Sequence, residues 1–133
     1  MQAYTLTVVF NKEKTKVIMG LHKKLGKLNY LGGKIEDDEC YMDASYRELL
    51  EESGITKSDI KLKLIRHEVV TTTTSLGSWD IYVTAGVLLG EMFIEEFKYP
   101  LKWVSIDDIE TFLNAYGHGN CYTYLLDALE ALN

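Results

Sequence analysis

The chain has 133 residues, 47% of them apolar and 26% charged, which suits one globular domain with a real core. No apolar run approaches the ~20 residues of a membrane span, so no membrane association is expected. The net charge of −6 argues against loose binding of duplex nucleic acid, which needs a basic surface, and means that an anionic small substrate must be neutralised by something other than bulk protein charge.

In chain order, Tyr4–Phe10 (YTLTVVF) is rich in β-branched and aromatic residues and reads as a strand. Asn11 to Lys14 reads as a turn and Thr15–Leu21 as a second strand, together a hairpin. Residues 22–33 read as a loop, with Gly26, Asn29, Gly32 and Gly33 as breakers. Cys40 to Ser53 carries strong helix formers and stops at Gly54. Lys61–Thr74 and Asp80–Leu89 read as antiparallel strands, and Trp103-Val104 as a short one. Ser105 reads as an N-cap with Asp108 as its capping-box partner, opening a helix to about Leu113. Asn120 then caps a last helix, Cys121–Leu132. The class is α/β, a mixed sheet covered by helices, in one domain spanning 1–133.

The N-terminus lacks the basic start, apolar stretch and cleavage site of a secretory leader, so a cytoplasmic location is expected. Cys40 and Cys121 form no CxxC and read as reduced thiols. His22, His67 and His118 are scattered and give no zinc spacing.

The informative stretch is GGKIEDDECYMDASYRELLEESGI, Gly32 to Ile55. It holds Glu36, Asp37, Asp38, Glu39, Asp43, Glu48, Glu51 and Glu52 against only Lys34 and Arg47. Asp37, Asp38 and Asp43 fall before or within the first helical turn, where anions are favoured, and a solvated face explains them. Glu48, Glu51 and Glu52 are related by steps of three and four and share one helical strip. Like charges at that spacing repel, and the macrodipole disfavours anions near a helix C-terminus. A hard divalent cation removes both objections, since Mg²⁺ takes oxygen ligands and bridges carboxylates to phosphates. Arg47 can reach Glu51 across one turn.

The spacing from Gly33 to Ile55, GX5EX7REUXEEXGU with U a bulky aliphatic residue, resembles the Nudix box, and every defined position is filled. The resemblance implies the family's α/β/α sandwich with a mixed central sheet, and hydrolysis of a nucleoside diphosphate linked to another moiety. It implies Mg²⁺ as cofactor, with Mn²⁺ as a substitute. Carried over, Glu51 and Glu52 are principal metal ligands, and Glu48 is a further ligand or the base that activates water. The Gly33 carbonyl contributes through metal or water, Glu39 supports the site, and Arg47 orients the glutamates. A further acidic ligand outside the box is expected at Glu96, or else at its neighbour Glu95. Leu31 stands where many members have proline.

Two stretches are similar to the MutT-type branch that acts on oxidised purine nucleoside triphosphates: YTLTVVF, which contributes Thr5, and GKLNYLGGK, which contains Asn29. By that likeness Asn29 reads a purine edge, since an amide offers both a donor and an acceptor. The alternative is a loop residue tolerating an unusual backbone angle. Asn120 is a second base reader or simply a helix cap. Lys23, with Lys24 and Lys27, either touches phosphate or forms a solvated basic loop. Tyr116, Tyr122 or Tyr124 either stacks on a base or packs the core. The expected partner is a nucleotide, and the expected assembly a monomer or homodimer. Competing substrates are dinucleoside polyphosphates, ADP-ribose, nucleotide sugars and capped RNA. A nucleotide sensor without catalysis is the rival of another class.

Overall fold

The apolar run near the N-terminus becomes β1 (Gln2–Phe10), the centre of the sheet. The computed structural model describes residues 2–22, 27–71, 78–92, 100–109 and 121–133. Along one edge, β1 runs parallel to β6 (Ser78–Val87), from Gln2 opposite Trp79 to Phe10 opposite Val87. Its other edge is shared by two antiparallel neighbours. β2 (Lys16–His22) meets it at Phe10 and Val17, and β4 (Leu31–Lys34) covers Tyr4 to Thr7. β3 (Lys27–Asn29) and β7 (Leu101–Ser105) flank β2, and β5 (Lys63–Thr71) pairs with β6, all antiparallel. One parallel pair among antiparallel ones makes the sheet mixed.

Each face of the sheet carries a helix. α1 (Tyr41–Ser53) covers one face, where Val9, Ile18, Leu31, Leu49, Ile55 and Ile60 are buried together. α2 (Cys121–Ala131) covers the other, with Tyr124, Leu125 and Ala128 packed on Val8, Phe10, Met19 and Val83. Successive residues of β1 and β2 thus feed opposite cores, which is why Val8-Val9-Phe10 is continuously apolar rather than alternating. No described helix is long and apolar enough to cross a membrane.

Residues 22–33 are not one loop, as their glycines suggested. Lys27–Asn29 and Leu31–Lys34 are strands. Ladder bonds to β1 and β2 override the weak strand propensity of Gly32 and Gly33. The hairpin, the antiparallel β5–β6 pair and the helix ending at Gly54 agree with the sequence reading. Cys40 caps α1, and Gly54 ends it with φ 74°, donating its N–H to Leu50 O at 3.0 Å. Ser105 caps a single 3-10 turn, Ile106–Asp108, by accepting the Asp107 N–H. Ile109 continues it with helical backbone angles, and the expected helix beyond Ile109 lies outside the described residues.

α1 is pinned to the sheet by hydroxyls. Ser45 Oγ pairs with Thr5 Oγ1, accepts from Thr84 Oγ1 at 3.3 Å and donates to Tyr41 O at 2.8 Å. Thr84 also pairs with Thr7 at 2.8 Å, and all four hydroxyl residues are buried. Every member is satisfied, so removing the hub strands buried hydroxyls. Ser45→Ala is expected to lower stability by about 1–3 kcal/mol despite alanine's better helix propensity, measured by urea unfolding. A loss below a few tenths would show that the network does not fix the helix.

Candidate active site

α1 delivers its carboxylates to the edge of β4. Glu52 Oε1 accepts the Gly32 N–H at 2.9 Å. Glu48 lies over Gly33 so closely that a Cβ added there would meet its Oε1 at 2.4 Å. A side chain at position 33 would therefore push the Glu48 carboxylate from this place, whereas one at position 32 would meet the Thr5 backbone oxygen at 1.9 Å. Glu48 and Glu52 stand side by side, withdrawn from water at the C-terminal half of a helix. Burial, then the charge of Glu48, pushes the Glu52 carboxyl up to about 8, against the downward pull of the Gly32 N–H. Burial also raises Glu48, opposed by the Arg47 guanidinium.

Arg47 organises the rest. Its Nε reaches Glu39 Oε2 at 3.0 Å and its Nη2 reaches Glu39 Oε1 at 2.6 Å, a two-pronged grip. Nη2 also donates to Lys34 O at 3.0 Å, and Nη1 to Glu48 Oε1 at 3.1 Å and Glu51 Oε2 at 3.3 Å. Arg47, with the Glu36 N–H, holds Glu39 down to about 2. The contact to Glu51 was legible from the one-turn spacing. The grip on Glu39, eight residues back across the helix start, has no local periodicity to reveal it.

Among the described residues, no three carboxylate, histidine or cysteine groups already surround one point as cation ligands. Glu48 and Glu52 are together, but Glu51 is 57% exposed and leans on Arg47. The donor set nevertheless fits a hard divalent cation. It consists of carboxylate oxygens, and burial raises two of the groups, Glu48 and Glu52, above their ordinary values, which an added positive charge would offset.

The other expected residues divide. Thr5, expected to contact substrate, is fully buried with its hydroxyl on Ser45, and is a core residue. Asn29 lies in β3 rather than in a loop, half-buried, its Oδ1 accepting from the Tyr30 N–H at 2.8 Å and the Cys121 thiol at 3.3 Å. Tyr124 is buried in the core and donates to Glu68, so it is no stacking surface, whereas Tyr122 is exposed on α2. Arg66 joins this group, bonded at 2.8 Å to both Glu68 and Asp127 and so tying β5 to α2. Lys23, Lys24, Glu95, Glu96, Tyr116 and Asn120 lie outside the described residues, as does the side chain of Lys27.

The sequence profile of the NUDIX domain matches residues 1–125. The oxidized purine nucleoside triphosphate hydrolase of Danio rerio is 33% identical over 109 residues, covering 78% of this chain and 67% of that protein. The protein of that name from Mus musculus is 39% identical over 110 residues, covering 80% and 67%. Among solved structures, the Ap4A hydrolase of C. elegans superposes with a TM-score of 0.78 at 14% identity, over 100% of this chain and 99% of that one.

The Glu52 shift has a testable sign. Its folded value lies above its ordinary 4.5, so its contribution to stability is fully present below about 4.5 and is lost as pH rises through about 8. Glu39 acts the opposite way and only at lower pH, its contribution being lost as pH falls from 4.5 towards about 2. In EDTA, the melting temperature is expected to fall between pH 5 and 8.5, and Glu52→Gln to flatten that fall. Parallel curves for the two proteins would contradict the crowding.

Proposed function

This chain belongs to the NUDIX family and is a hydrolase of it, and we propose that it splits a nucleoside triphosphate, best an oxidised purine one, into the monophosphate and pyrophosphate with Mg²⁺. The observation that carries the reading is the pair of half-buried carboxylates, Glu48 and Glu52, crowded over the Gly32–Gly33 backbone. Such a pair is stabilised by a cation, and a polyphosphate needs that cation to approach a protein of net charge −6. The names of the Danio rerio and Mus musculus proteins support the triphosphate and the oxidised purine.

In this reading Glu51 and Glu52 are the principal oxygen ligands of Mg²⁺, or of Mn²⁺ in its place, with Glu96 or Glu95 completing the set. A bound cation supplies neutralisation of phosphate charge and a lower pKa for water. Glu48 adds a ligand or takes the proton of the attacking water. The Gly33 carbonyl orients that water or the ion. Arg47, fixed by Glu39, holds Glu48 and Glu51 together at its Nη1. Water forms a bond to one phosphorus as the bridging P–O bond breaks, and pyrophosphate leaves. By the family likeness, Asn29 and Asn120 would read the base, and Lys23 would bind the phosphates.

Glu51→Gln and Glu52→Gln are each expected to lower pyrophosphate release from a purine nucleoside triphosphate by roughly tenfold to a hundredfold or more, with the fold intact by circular dichroism. Turnover near that of the unmodified protein in both variants would sink the assignment.

A further inference from the structure

The buried hydroxyls under α1 donate in a fixed direction. Ser45 gives its one proton to Tyr41 O at 2.8 Å, so in its pair with Thr5 it is Thr5 that donates. Thr84 gives its proton to Ser45 at 3.3 Å, so in its pair with Thr7 it is Thr7 that donates. Both bonds from the sheet to the helix therefore end on Ser45 Oγ and use its two lone pairs. Alanine is smaller and a better helix former, so these bonds, and neither space nor propensity, explain a serine here. Ser45 also lies on the stripe of α1 that carries the crowded carboxylates, with Glu48 three residues on and Glu52 seven. The three meet the sheet in order: Ser45 on Thr5, Glu48 over Gly33, Glu52 on the Gly32 N–H. Thr5 is the ladder partner of Gly33, on strands that lie about 4.8 Å apart. Leu49 packs the same helix on the core, but apolar contact is non-directional and leaves its height and register to the hydroxyls.

We propose that Ser45, held by Thr5 and Thr84, is a positioning residue that sets Glu48 and Glu52 against the Gly32–Gly33 backbone and thereby sets the affinity of the site for a divalent cation. The inference rests on the reading that these carboxylates hold that cation. Removing the Ser45 hydroxyl strands two buried threonine donors, and the helix must shift, or the threonines turn, to satisfy them. A shift moves the two carboxylates off their backbone partners. Thr5 thus serves the site without touching substrate.

The test is titration of the nucleotide-free protein with Mn²⁺, followed by electron paramagnetic resonance, which needs no turnover. The expected result is a Kd about tenfold higher in Ser45→Ala and in Thr5→Val, which keeps the shape of threonine and loses its hydroxyl. Thr5→Ser, which keeps the hydroxyl, stays close to the unmodified protein. So does Val104→Ala, which weakens the core under α2 without touching this network. The double variant Ser45→Ala, Thr5→Val binds no more weakly than Ser45→Ala, since both remove the same bond. An unchanged Kd in Ser45→Ala and Thr5→Val with the fold intact by circular dichroism, or an equal rise in Thr5→Ser or Val104→Ala, would overturn the proposal and leave the metal assignment standing. Should Ser45→Ala not fold, Thr5→Val against Thr5→Ser decides alone. No Mn²⁺ binding by the unmodified protein would overturn the metal assignment and this inference with it.

Discussion

Like charge taken out of water at the wrong end of a helix has to be held there by something. In this chain the holding is done in three ways. The Gly32 N–H binds Glu52, the absent side chain of Gly33 makes room for Glu48, and Arg47 draws Glu39, Glu48 and Glu51 around one guanidinium. The rest of the fold supports that arrangement. β4 is pinned to the central strand from Tyr4 to Thr7, and α1 is bolted to the same strand through Ser45 and Thr5. Helix and strand edge therefore share one rigid base, and the carboxylates meet the backbone at fixed distance. A planar fork suits Arg47's task, because one group must grip a carboxylate with two prongs and still reach a carbonyl and two further carboxylates.

The two faces of the sheet divide the labour. The face under α1 carries the acidic strip. The face under α2 carries Asn29's partners and the Arg66–Glu68–Asp127 ties that fix α2 to β5. β3 and β4 connect the two, with only Tyr30 between the strand that bears Asn29 and the strand that bears Gly32 and Gly33. A nucleotide with its base by Asn29 and its phosphates by the acidic strip would be gripped by one continuous piece of backbone.

Much of this was legible in the sequence because the responsible spacings are local. Steps of three and four placed Glu48, Glu51 and Glu52 on one strip, and Gly54 after strong helix formers marked the end of α1. The mixed sheet followed from alternating strand-rich and helix-rich segments. What was not legible depends on contacts between distant residues. The strands at Lys27–Asn29 and Leu31–Lys34 exist because neighbouring strands supply their hydrogen bonds, which glycine content conceals. Thr5 was named only through the likeness of its strand to a family branch, and the packing of α1 turns its hydroxyl onto Ser45 instead. The Cys121–Asn29 contact joins the two ends of the chain and has no signature in either segment.

The most direct measurement is pyrophosphate release from a panel of normal and oxidised nucleoside triphosphates, dinucleoside polyphosphates and ADP-ribose, with Mg²⁺ and with EDTA. Release that depends on Mg²⁺ and is strongest for an oxidised purine triphosphate is the expected result. Turnover that persists in EDTA would contradict the role given to the crowded carboxylates. Turnover confined to ADP-ribose or a dinucleotide would leave those carboxylates their role and contradict the substrate.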